Sequence, residues 1–332
     1  MLTPLCDGYE PAADGKPCIR YVSGGFCKLP MLFRCTEYLR VHEPVLSYSS
    51  MNSFVCPRRY YWSNIAGLEP IEKALPLEMG TVADKILQLI HGQSSPIDLP
   101  AFFAPYRDEK EELKPWQYAM WGLFEGYSAD DRFNGLKGDC QAEFNWKEAD
   151  YPQIHGFTDL VTFGDNDKGN MIGYEFKYTQ RPDSYTKFTV SMQLATYFIG
   201  MPKLQRITLR AIQVPMLKQS AKETGAQYKD RVKLDFNGRP NHYINDTHYW
   251  RTEFDLGEVK ERAKRIANTI RTFINMGGKE GFYQQIGPHT CFSPSRCNYL
   301  SICESGVVSE NIYRKRGPKQ LNQKEGRDVI AG

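Results

Sequence analysis

The chain has 332 residues, with 42 Lys and Arg against 39 Asp and Glu, a formal charge of +3. That balance excludes a histone-like or polybasic protein but allows a local basic groove. At 41% hydrophobic and 13% aromatic residues a sizeable core forms, no apolar run approaches the ~20 residues that span a bilayer, and the opening MLTPLCDGYE lacks the marks of a secretion signal. The expectation is a cytoplasmic protein with no membrane partner.

Residues 1–45 are rich in Gly, Pro and Cys and show little periodicity. From Ser47, SYSSMNSFVCPRRYYW (47–62) predicts a short serine-capped helix running up to Cys56-Pro57. LEMGTVADKILQLIHG (77–92) sets Val82, Ile86, Leu89 and Ile90 at helical spacing, with Gly92 as its stop. A second helix is predicted over 110–127, started or kinked by Pro115. The period then falls to two, and 141–146, 155–163 and 171–179 read as strands, the last two joined by the turn-rich GDNDKGN (164–170). A helix over 187–200, a strand over 206–215, an irregular excursion with a short hairpin over 216–245, a strand over 248–255 and an amphipathic helix over 256–276 follow. Residues 311–332 read as a polar tail. This order predicts an α/β core with cysteine-rich appendages.

Chemistry concentrates on the strand pair. Glu175 and Lys177 are two residues apart and therefore share a strand face. An antiparallel hairpin closed at 164–170 sets Asp159 opposite one of them. Two carboxylates so placed repel unless a cation lies between them. A hard divalent ion, Mg²⁺ or Mn²⁺, suits oxygen ligands and keeps positions for water and phosphate. Alone, an E-x-K triplet is common on solvated strands.

In order and spacing, GFTDLV, a turn, YEFKYT and QLATYF resemble the PD-(D/E)XK nucleases, and more narrowly the RecB-like branch that includes CRISPR-associated exonucleases. The resemblance spans roughly residues 45–305 and implies a restriction-endonuclease-like core, a mixed central sheet flanked by helices. It implies that Asp159, Glu175, Lys177, Gln193 and Tyr197 line a catalytic site. The family's G-x-x-x-H helix corresponds to GTVAD (80–84), which puts Asp84 where the family has a histidine metal ligand. An oxygen donor there suits Mg²⁺ better than imidazole does.

The nine cysteines are an odd number, which argues against a disulfide framework. A subset of the RecB-like branch holds a four-iron cluster with one ligand before the core, in a C-P dipeptide, and three after it. Cys56-Pro57 and CFSPSRCNYLSIC (291–303) match those elements, so the resemblance implies that Cys56, Cys291, Cys297 and Cys303 bind [4Fe–4S]. The spacing departs from the family's: C-x₅-C-x₅-C stands in place of C-x₂-C-x₅-C, and tetrahedral zinc is the rival occupant. Cys6, Cys18, Cys27 and Cys35 read as a second four-thiol site for Zn²⁺, which leaves Cys140 as a structural residue.

The expected organisation is a Cys-rich module over 1–45, a RecB-like nuclease domain over 46–305 and a basic polar tail over 306–332. RRYYW (58–62), KYTQR (177–181) and the RKR of the tail mix charge with aromatic faces, as single-strand binding requires, although core filling explains any one ring equally well. The expected function is a divalent-metal-dependent DNA exonuclease acting on single strands or ends. No G-x₄-G-K-[ST] motif is present, so unwinding falls to a helicase or a recombination or CRISPR-adaptation partner. The rival is a catalytically inactive iron–sulfur or zinc protein that binds DNA or assists assembly.

Overall fold

Strands Asp139–Trp146 (β1), Ile154–Phe163 (β2), Met171–Thr179 (β3), Leu204–Gln213 (β4) and Ile244–Trp250 (β5) form one mixed sheet whose spatial order follows the chain. Pairing is antiparallel except between β3 and β4, which run parallel. A parallel pair needs a crossover, and the helix Lys187–Gly200 supplies it. The computed structural model describes residues 21–22, 26–27, 44–72, 74–92, 97–163, 171–276, 281–285, 287–292 and 296–316, with the backbone alone at 21–22, 26–27, 188–189 and 288–289. The expected turn at 164–170 and the thiols of Cys6, Cys18, Cys27 and Cys35 lie outside what is described.

The chain divides into two compact units. One comprises 74–146 and 154–259, and the other comprises 1–73, 147–153 and 260–332. In the first, the sheet is flanked by helices Leu75–Gly92 (α1), Pro115–Ala129 (α2), the crossover Lys187–Gly200 (α3) and Gly225–Gly238 (α4). β4 is buried at nearly every position, as expected of a central strand covered on both faces. Pro115 opens α2 at its first turn, where a missing N–H costs nothing. A Cβ on Gly200 would overlap the Phe144 ring, so glycine is what lets α3 close on β1.

The sequence reading of 216–245 is corrected by α4. Thr224 and Gln227 form a capping box, and Tyr228, Val232 and Phe236 are buried at four-residue spacing. The stripe is only three residues wide on an otherwise polar helix, which hid it. Gly122 and Gly126 of α2 face Lys229 and Phe236 at distances that admit no side chain. β5 begins at Ile244, earlier than expected, and a 3₁₀ turn at Arg251–Glu253 replaces the end of the predicted strand.

In the second unit, Ser47 caps a helix over Tyr48–Ser53, and a separate helical turn, Pro57–Tyr60, continues into a π-helical turn at Tyr61–Ile65. The predicted helix ends at Ser53, short of Cys56, and Pro57 starts a further helical turn as a first-turn residue. Tyr313–Lys315, expected within the tail, pairs antiparallel with Leu68–Pro70. Tyr313 holds it there: the ring is buried and stacks on Tyr299, and its hydroxyl donates to the Asn298 carbonyl. Tyr60 and Trp62 are also buried, so those two aromatics of RRYYW fill core. The long helix Leu256–Asn275 (α5) buries Ala263, Ala267, Ile270 and Ile274 along one stripe. Among the described residues no helix is long and apolar enough to cross a membrane.

Candidate active site

The β2–β3 ladder runs from Phe163↔Met171 to Leu160↔Tyr174 and stops there. Its next rung would set Asp159 level with Glu175, one of the two partners the hairpin reading allows. Instead the Phe176 N–H donates to Asp159 Oδ2 at 2.8 Å, so the carboxylate of one strand is fixed by the backbone of the other.

Glu175 is 1% exposed and accepts three side-chain donors. The Lys177 ammonium and Gln193 Nε2 (2.7 Å) donate to Oε1, and the Tyr197 hydroxyl donates to Oε2 at 2.8 Å. Gln193 also donates to the Tyr197 oxygen at 2.6 Å. The i, i+4 spacing on α3 delivers both groups to one carboxylate. A buried carboxylate would otherwise cost several kcal/mol, and this set of donors keeps it in place.

Asp84 projects from the middle of α1, where Gln88 Nε2 donates to Oδ2 at 2.9 Å and Gln141 Nε2 approaches Oδ1 at 3.4 Å. Burial raises its pKa, Gln88 opposes that, and Glu175 raises it further. Asp159 is held well above the carboxylate range by burial first, then by Glu175 and, more weakly, Asp84. Burial disfavours the Lys177 ammonium, but Glu175 and Asp159 outweigh it and keep the group charged. Burial and the two carboxylates likewise push the Tyr197 hydroxyl well above its ordinary range, so it stays a donor. All six residues anticipated from the sequence thus act on one another.

Three carboxyl groups share one ammonium, and the raised pKa values of Asp159 and Asp84 reflect the charge that would otherwise concentrate here. Asp159 Oδ1 has no hydrogen bond among the described residues. An all-oxygen donor set of this kind fits a hard divalent cation. Among the described residues no three carboxylate, imidazole or thiol groups are gathered at ligand spacing.

Two residues of this neighbourhood escaped the sequence reading. Gln141 has φ +52°, unusual without glycine, and sits in β1 level with Asp159 by the Cys140↔Leu160 and Ala142↔Thr158 register. No local sequence signal marks it. His91 lies seven residues after Asp84, on the same face of α1. It is fully buried, Nδ1 donating to the Leu136 carbonyl (2.7 Å) and Nε2 accepting the Tyr127 hydroxyl (3.0 Å). Arg210 donates to that hydroxyl oxygen (2.9 Å) and forms a bidentate pair with Asp246 (2.8 and 2.7 Å). With both ring nitrogens engaged, His91 anchors α1 and is no metal ligand.

In the other unit Cys56 is buried, and Cys291, Cys297 and Cys303 are half-buried free thiols. Burial pushes the Cys303 thiol up, and Cys56, Cys297 and Cys291 add to the shift while Arg58 opposes it. These thiols lie close enough to act on Cys303, but among the described residues they are not gathered at ligand spacing. Cys140 is half-buried on β1, its thiol 3.6 Å from the Gln88 carbonyl.

A mixed sheet between helices, with an acidic pair and a lysine where two strands part, is consistent with a restriction-endonuclease-like nuclease core. The chain belongs to the PD-(D/E)XK nuclease superfamily, whose family model matches residues 45–304. Among solved structures it is similar to a putative exonuclease from Eubacterium rectale, at 14% identity and TM-score 0.49, with 83% of this chain and 92% of that one covered. It is also similar to a phage-related exonuclease from Haemophilus somnus 129PT, at 14% identity and TM-score 0.37, with 72% and 99% covered. No curated protein matches it in a sequence search.

Proposed function

We propose that this nuclease is a divalent-metal-dependent deoxyribonuclease of the RecB-like branch, an exonuclease that acts on single-stranded DNA or DNA ends. The observation that carries the reading is Glu175, buried and held by Lys177, Gln193 and Tyr197 while Asp159 and Asp84 act on it electrostatically. Asp159 and Glu175, with Asp84, would hold Mg²⁺ or Mn²⁺. When bound, such an ion stabilises charge on phosphoryl oxygens and acidifies water. Lys177 enters as an ammonium, positions the attacking water and balances charge on the phosphate. Gln193 and Tyr197 keep Glu175 oriented as the phosphate arrives.

Cys56, Cys291, Cys297 and Cys303 would bind a structural [4Fe–4S] cluster, and the N-terminal cysteines a Zn²⁺ ion. A helicase or a recombination or CRISPR-adaptation protein would supply the opened strand. The test is cleavage of end-labelled single strands and duplexes by chelator-treated protein, with Mg²⁺ or Mn²⁺ added back. Metal-dependent shortening from an end is expected. DNA that binds but is never cut would favour the inactive, assembly-type alternative.

A further inference from the structure

Where the parallel strands β3 and β4 end, the chain surrounds a cleft of about 620 Å³ that no part of the catalytic argument uses. Four of its walls are carboxamides: Gln180 just past β3, Gln213 at the end of β4, Asn241 in the helical turn before β5, and Asn245 within β5. Open α/β sheets bind ligands at this end of their parallel strands. The register ties the cleft to the candidate active site. Lys177 pairs with Ala211, Ala211 with Asn245, and Gln213 lies two residues after Ala211. Paired residues and alternate residues share a face, so Lys177, Gln213 and Asn245 lie on the same side of the sheet. From Lys177 to Gln180 is three residues, about 10 Å of extended chain.

The charge in the cleft selects among ligands. Asp246 is neutralised by its bidentate pair with Arg210. Arg181, His242 and Asp183 remain and nearly cancel. A phosphate gains little there, whereas carboxamides, each presenting a donor and an acceptor, match the edges of unpaired bases. Gln180 also lines an adjoining cleft of about 380 Å³ whose partly exposed Trp116 and Tyr178 provide aromatic surface of the kind on which bases stack.

We propose that the carboxamide cleft holds the bases of a single DNA strand next to the phosphate at Lys177, giving the enzyme a preference for unpaired DNA and for particular bases. This rests on the nuclease reading. The test uses full-length Glu175→Gln protein, which reports binding without cleavage, and single strands of equal length made of dA, dC, dT or abasic tetrahydrofuran residues. Base contact predicts binding of the abasic strand about tenfold weaker than the best base, and a several-fold spread among bases. Adding Gln213→Ala and Asn245→Ala should shrink both differences. Equal binding of all four strands, or differences that survive the two alanines, overturns the cleft assignment. If wild-type protein nonetheless cuts DNA with added metal, the nuclease reading stands alone. If it neither cuts nor binds DNA, both fall.

Discussion

His91 and Phe176 stack face to face, with 5.2 Å between ring centroids and 1° between ring planes. The backbone N–H of the same Phe176 holds Asp159. One contact therefore links the anchored end of α1, which carries Asp84, to the strand that carries Glu175 and Lys177.

Stability should depend on pH through His91. Burial, with Arg210 and Lys137 nearby, lowers its pKa from 6.5 to about 4, against the weaker pull of the Leu136 hydrogen bond. Below pH 6.5 the unfolded chain takes up a proton that the folded one refuses. The contribution is therefore whole above 6.5 and lost as pH falls towards 4, up to about 3 kcal/mol. Urea midpoints at pH 7 and 4.5 should differ less for His91→Gln than for wild type. An identical difference would show that His91 does not set the pH dependence.

Glu175→Gln keeps the shape of the buried group and should lower metal-dependent cleavage at least ~100-fold, as loss of a key electrostatic group does. Lys177→Ala should do the same. Glu175→Ala additionally strands three donors and should destabilise the fold by about 3 kcal/mol. Full cleavage by folded Glu175→Gln would take the residue out of the mechanism.

Asp84→His replaces an oxygen donor with imidazole and should shift the preferred ion from Mg²⁺ towards Mn²⁺. Asp84→Ala should raise the metal concentration needed for half-maximal cleavage. An unchanged Mg²⁺ titration of Asp84→Ala would make the residue a bystander.

Gln141→Gly tests whether strain is stored beside the site. Relief of the positive φ should raise stability by about 1 kcal/mol, while loss of the carboxamide beside Asp84 should weaken metal dependence. A calorimetric scan and a metal titration on one preparation read both effects, and a fall in melting temperature would contradict the strain argument.

Serine at Cys56, Cys291, Cys297 or Cys303 should bleach the brown colour of anaerobically purified protein and lower its melting temperature. A link from Cys56 to Cys291 closes a loop of more than two hundred residues, worth roughly 5–6 kcal/mol by analogy with a disulfide. Stoichiometric zinc in a colourless, iron-free protein would replace the cluster with a zinc site and spare the nuclease.

What the sequence determined by itself is local. Period two puts Glu175 and Lys177 on one strand face, a four-residue step puts Gln193 and Tyr197 on one helix face, and Pro115 and Ser47 mark helix starts. These follow from backbone geometry that any few residues carry with them. Only the tertiary structure decided that the β2–β3 ladder stops one rung short of Asp159, that Gln141 is forced to positive φ, that His91 is an anchor, and that Tyr313 brings part of the expected tail into a sheet. Each of these depends on partners tens to hundreds of residues away. Burial and the need to pair buried polar groups impose them, and no short window of sequence contains both sides of that balance.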